Sequence, residues 1–157
     1  MTTVEIAPIV KTLEISRPPG QAFRAFTEEI GAWWPVSTHS RARQEQGERT
    51  VAVTIEPRVG GRIFETLDDG RELDWGEVLA WEPGALLEFS WQLGHPAEHS
   101  TRVAVQFEPM GDRACRVTLT HSGWERLGAE GAGRRESYHG GWDEVFGRCF
   151  GRHVGAA

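Results

Sequence analysis

The stretch YHGGWDEVFGRCF, residues 138–150, decides how the rest of the chain is read. Tyr138, Trp142, Val145, Phe146, Cys149 and Phe150 recur at spacings of three and four, which puts them on one face of a helix. The pattern predicts a helix from about Arg134 to His153. Gly140 and Gly141 oppose it, each costing on the order of 1 kcal/mol relative to Ala. Either the helix begins after them, or backbone must approach something closely there. An apolar stripe this long needs a surface to cover it, and the upstream sequence supplies one.

Upstream the period is two. Ile9, Leu13 and Ile15 share a face against Thr12 and Glu14, a half-buried strand ended by Arg17-Pro18-Pro19-Gly20. Phe23, Phe26 and Ile30 then give a short amphipathic helix stopped at Gly31. Ala32-Trp33-Trp34-Pro35 reads as a second helical turn. Residues 36–50 are polar and aperiodic and read as a surface loop. Val51, Val53 and Ile55 alternate up to Pro57. Gly60-Gly61 turns into a strand from Arg62 to Leu67, and Asp68-Asp69-Gly70 is a hairpin signal. Further strands follow from Glu72 to Trp81, around Leu87-Phe89-Trp91, around Val103-Val105-Phe107, and around Val117-Leu119-His121. Trp124 to Leu127 looks like a helical turn, and 128–133 looks loose.

The expected fold class is α+β. Two short helices follow the first strand. A six-stranded antiparallel meander over 51–121 gains the first strand as a seventh, beside the last. That curved sheet wraps the long C-terminal helix, in one domain spanning residues 1–157. A curved sheet gripping one helix leaves a space between them where small apolar ligands go. Nineteen glycines, about 12% against a usual ~7%, and seven tryptophans fit many turns around an interior of large rings.

Composition excludes several classes. A net charge of -6 with no basic face argues against nucleic-acid binding. No apolar run approaches the ~20 residues that span a bilayer. The opening MTTVEIAPIVKTLEIS has no basic region followed by an apolar one, so a cytoplasmic chain without a signal peptide is expected. Cys115 and Cys149 form no C-x-x-C pair and read as free, buried thiols. His95 and His99 have a metal-binding spacing, but Gly94 and Pro96 interrupt any helix there, so no metal and no cofactor is expected. No nucleophile elbow, phosphate-cradling loop or dinucleotide fingerprint is present.

The candidate site residues are those expected to face the interior space. Trp33 and Trp34 close the short helices near its mouth, either with one ring plugging the core and the other covering the loop or as a lid that stacks on a planar ligand. Phe89 and Trp91 share an inward strand face. Trp75 lies on a strand whose two faces are both partly apolar, and a bulge near Gly76 would let both halves bury their apolar side. His121 is in register with Val117 and Leu119 and turns inward, either as a core histidine or as a ligand-binding or general-base group. Tyr138 opens the helical stripe that Trp142 and Phe146 continue, and its buried hydroxyl needs a partner. Glu65 is in register with Ile63 and Leu67, and Arg62, Arg58 or Lys11 could pair with it.

These residues resemble a family. Pro18-x-x-x-x-Phe23 with Trp33-Trp34-Pro35, Gly60-Gly61-Arg62 with Glu65, Trp75-Gly76-Glu77-Val78 followed by Trp81-x-Pro83 and Phe89-x-Trp91, and His121-x-Gly123-Trp124 with Gly141-Trp142 occur in an order similar to that of the SRPBCC superfamily. This helix-grip group includes START-like lipid-transfer domains, the birch-pollen allergen (Bet v 1-like) type and polyketide cyclases. Within it the chain most resembles the bacterial group named for homology to the activator of Hsp90 ATPase, over residues 9 to 153. The resemblance implies the helix-grip fold and leaves three functions open. One is binding or sequestration of a small, mostly apolar molecule, aromatic or lipid-like, without catalysis. Another is a cyclase- or hydrolase-type enzyme using His121, Glu65 and Tyr138. The third is an Hsp90-related interaction module. Open sheet edges also leave a homodimer available.

Overall fold

The computed structural model describes residues 6–42, 49–93 and 97–155. Seven strands form one antiparallel sheet: β1 (Ile9–Ile15), β2 (Thr50–Ile55), β3 (Arg62–Leu67), β4 (Glu72–Glu82), β5 (Leu86–Trp91), β6 (Thr101–Pro109) and β7 (Cys115–Ser122). Their order across the sheet is β1-β7-β6-β5-β4-β3-β2, so β2 to β7 are a meander and β1 closes onto β7. The alternation of β7 is strict. Cys115, Val117, Leu119 and His121 are buried, and the residues between them face out.

Bulges decide which rings point inward. In β4 the buried or core-packed residues are Trp75, Val78 and Trp81, a spacing of three that no regular strand allows. The ladder slips once against β3, between Ile63 and Phe64, and once against β5, between Val78 and Ala80. Each slip inserts one residue and returns the next apolar side chain, Val78 and then Trp81, to the core. Gly76 sits at the first slip because backbone comes too close for anything larger: a Cβ there would overlap the Ser90 carbonyl. A third slip, between Thr50 and Ala52, turns Val51 outward and Thr50 inward. The simple alternation expected of Val51, Val53 and Ile55 therefore fails at Val51.

Two short helices cross one end of the sheet. α1 (Pro19–Thr27) starts at consecutive prolines, where the first N–H groups lack helical partners anyway. It ends at Thr27, whose hydroxyl donates back to the Phe23 carbonyl. Ile30 belongs to a separate helix, α2 (Ile30–Trp33), so Gly31 lies inside a helix rather than stopping one. The break at Glu28 and Glu29 lets Phe26 and Trp33 meet, with ring centroids 5.1 Å apart.

The C-terminal helix, α3, is longer than its apolar stripe. It runs through Gly131–Trp142, continues as π-helix over Asp143–Phe150, and closes with Gly151–Val154. The wider winding is seen where the Gly151 N–H reaches the Phe146 carbonyl, five residues back. Both explanations offered for Gly140 and Gly141 fail. The helix begins before them, and a Cβ at either would meet nothing within 4 Å. The close approach is at Gly131 instead, where a Cβ would overlap the Trp124 carbonyl. That contact docks α3 on a 3-10 turn, Trp124–Glu130. The segment expected to be loose, 128–133, is therefore the end of that turn and the start of the helix.

Sheet and helices together form the helix-grip arrangement. One half of its interior is solid. Phe23 packs edge-on against Trp81 and Phe107, at 5.0 and 5.3 Å, and Phe26 packs against Phe150 at 5.2 Å. Cys115 is buried in this core, whereas Cys149 is only half-buried. Among the described residues no helix is long and apolar enough to cross a membrane.

Candidate functional site

The other half of the interior holds a pocket with an open mouth. Four indoles converge there. Trp34 lies 4.8 Å from Trp75, 6.2 Å from Trp91 and 5.9 Å from Trp142, measured between ring centroids. They wall a pocket of about 460 Å3, a volume that includes its open mouth. β4 and β5 supply Trp75 and Trp91, and α3 supplies Tyr138, Gly141, Trp142 and Val145. The chain after α2 supplies Trp34, His39, Ser40 and Arg41. Leu93 completes the wall with φ of 47°, a left-handed backbone that non-glycine residues seldom adopt. Its N–H and that of Gln92 both donate to the Trp75 carbonyl, which holds the turn.

Each indole N–H in the wall is committed to a protein acceptor. Trp34 donates to the His39 carbonyl at 2.6 Å, and Trp75 to Oε1 of Glu65 at 2.6 Å. Trp142 donates to Nδ1 of His121 at 3.0 Å, and Trp91 to the Tyr138 hydroxyl oxygen at 3.1 Å. These bonds fix the ring planes, so the pocket is pre-shaped.

His121 sits behind the wall, fully buried. An indole nitrogen can only donate, so Nδ1 is the accepting nitrogen. The proton is then on Nε2, which lies 2.7 Å from the Thr101 hydroxyl. Burial pushes the imidazole pKa down to about 3, so the ring is neutral at physiological pH. Tyr138 packs on the same histidine, with ring centroids 5.4 Å apart. Burial pushes its phenol up, opposed by the Trp91 hydrogen bond and the Arg134 charge.

Glu65 anchors the opposite wall. Its carboxylate is fully buried and accepts from the backbone N–H groups of Arg41 and Ala42, the Thr50 hydroxyl and the Trp75 indole. None of the expected cations serves it. Lys11 pairs with Asp143, Arg58 with Glu56, and Arg62 with Glu56, Glu72 and Asp74. The segment read as a surface loop is what reaches it: Ser40 and Ala42 are buried, and Arg41 and Ala42 begin a helical turn. Residues 43–48 of that segment lie outside the described residues.

Residues 16–152 match the family described as Activator of Hsp90 ATPase homolog 1-like protein. The chain belongs to that family. Solved structures share its fold. A protein from Mesorhizobium loti is 24% identical, with a TM-score of 0.64 over 91% of this chain and 93% of that chain. An Hsp90 activator from Plasmodium falciparum is 21% identical, with a TM-score of 0.64 over 97% and 99%. An anthrahydroquino-γ-pyrone synthase is 27% identical, with a TM-score of 0.58 over 88% and 90%. No curated protein matches the chain.

In this Activator of Hsp90 ATPase homolog 1-like chain the expected site residues divide into groups. Trp34, Trp75, Trp91, Tyr138 and Trp142 line the pocket. His121 and Glu65 each hydrogen-bond one of those indoles from behind. Trp33, Phe89 and Phe146 belong to the core. Trp33 donates to the Ala25 carbonyl and packs 5.0 Å from Phe150, Phe146 stacks on Phe150, and Phe89 backs Trp91 at 6.0 Å. His39, Ser40, Arg41, Leu93, Gly141 and Val145 were not anticipated as lining residues. Two of them left a trace in the sequence: Val145 as a member of the helical stripe, and Gly141 as a glycine costly to a helix and adjacent to Trp142. Among the described residues no group of three His, Cys, Asp or Glu could hold a metal. His95 of the histidine pair lies outside them.

Proposed function

We propose that the protein binds a small, mostly apolar, flat aromatic molecule in this pocket, and so sequesters or carries it. The observation that supports it is the convergence of four indoles, each held by its own N–H, around a pocket open at one side. Aromatic faces fixed in this way offer stacking and edge contacts to a flat ring without further ordering cost. The synthase that is 27% identical is named for an anthrahydroquino-γ-pyrone, a flat fused-ring compound of the same class.

Catalysis by His121, Glu65 and Tyr138 has less support. General acid–base chemistry needs polar atoms within reach of the substrate. Both His121 nitrogens and both Glu65 oxygens engage protein groups. An interaction module would favour one large exposed apolar patch. The exposed Val10 and Val51 lie on β1 and β2, at opposite sheet edges. Cytoplasmic residence belongs to the same proposal.

The test is a screen of one- to three-ring aromatic compounds read by tryptophan quenching, with native mass spectrometry of the purified protein. Saturable quenching or a co-purified aromatic is expected. Failure of every compound to quench, with no retained mass, defeats the proposal.

A further inference from the structure

We infer that the ligand carries an acceptor oxygen, of the ketone, quinone or pyrone type, and that the Tyr138 hydroxyl donates to it. This rests on the proposed pocket function and narrows it. An indole N–H is a donor only, and a phenol has one hydrogen and an oxygen that accepts. The 3.1 Å bond from Trp91 Nε1 therefore makes the Tyr138 oxygen the acceptor. The phenol hydrogen has no other hydrogen-bond partner among the described residues. The indoles of Trp34, Trp75 and Trp142 spend their N–H groups on His39, Glu65 and His121. Among the tryptophans and the tyrosine of the wall, the Tyr138 O–H is thus the donor left for a guest.

A ligand that displaces water must replace what water gave that hydrogen, because an enclosed donor left unpaired is penalised. A pure hydrocarbon cannot do so, and a ring carbonyl can. Burial keeps the phenol protonated, so the hydrogen is present at neutral pH. Trp91 serves as a positioning residue: it orients the oxygen and so aims the hydrogen.

The experiment compares chromone, a flat two-ring ketone, with naphthalene, which has the same outline and no acceptor. Equilibrium dialysis gives both affinities for the wild type and for Tyr138→Phe. The substitution is expected to weaken chromone relative to naphthalene by about tenfold, the scale of one enclosed hydrogen bond. A relative change below about twofold overturns the inference. The carbonyl stretch of chromone bound to the wild type gives a reading independent of the variant's folding. A shift to lower frequency than in hydrocarbon solvent supports the bond, and the solvent value contradicts it. If neither probe binds the wild type, the pocket reading itself fails; if both bind without discrimination, the role of Tyr138 alone fails.

Discussion

Trp142 donates its indole N–H to Nδ1 of His121 across 3.0 Å. That one bond ties a pocket wall on α3 to an imidazole on β7 and sets the imidazole's tautomer. A proton added at Nδ1 would face the indole hydrogen. Burial already disfavours the charged ring and holds its pKa down to about 3.

The pH dependence follows. The folded pKa lies below the ~6.5 of an unfolded histidine. Between those values the unfolded chain binds the proton and the folded chain does not, so stability falls as pH drops from about 6.5 toward 3. His121 alone contributes a slope of up to ~1.4 kcal/mol per pH unit in that window. His121→Gln keeps an acceptor for Trp142 and a donor for Thr101 but does not titrate. Urea unfolding at several pH values should show the wild-type minus variant difference shrinking as pH falls. A difference constant from pH 7 to 4 would contradict the account.

Glu65 should tolerate no isostere. Glu65→Gln sets an amide NH2 against N–H groups from Arg41, Ala42 and Trp75 and the Thr50 hydroxyl. At least one buried donor loses its partner, at a cost of ~2–3 kcal/mol. Chemical denaturation measures this directly. A loss under ~0.5 kcal/mol would mean the carboxylate is not the anchor of the 40–42 segment.

Two glycines should respond in opposite directions to the same change. Gly76→Ala drives a methyl into the Ser90 carbonyl and should cost more than ~3 kcal/mol, or prevent folding, through backbone displacement between β4 and β5. Gly140→Ala meets open space inside a helix and should gain up to ~1 kcal/mol. Paired thermal melts test both. Similar shifts for the two would refute the assigned geometry.

Gly141 separates stability from binding. It too has open space around it, but that space is the pocket. Gly141→Leu should fold normally, with a melting temperature at or above wild type, and should weaken two-ring aromatic probes at least tenfold. Undiminished binding would place the probes elsewhere.

Much of the fold was legible because its signals are local. Alternation in β7 turned His121 inward, and the stripe from Tyr138 to Phe150 demanded a sheet to lie on. The bulges in β4 were half legible. Conflicting parity around Gly76 pointed to one, but the second slip near Ala80 leaves no residue signature. The partners of Glu65 were not legible. They are backbone N–H groups from an aperiodic segment some 24 residues away, and backbone donors carry no sequence code. The same holds for the pairing of Trp91 with Tyr138, which are 47 residues apart and meet only when α3 lies on the sheet. The sequence pattern allowed one of Trp33 and Trp34 to plug the core but did not say which. The break before α2 sends one into the core and the other into the pocket wall.

The most direct test of the pocket is a proton–nitrogen correlation spectrum of the seven tryptophan indoles during a naphthalene titration. Saturable shifts of the Trp34, Trp75, Trp91 and Trp142 indole signals are expected, with far smaller changes at Trp33 and Trp81, which pack against Phe150 and Phe23 away from the pocket. Unmoved pocket indoles, or shifts confined to Trp33 and Trp81, would contradict the pocket reading.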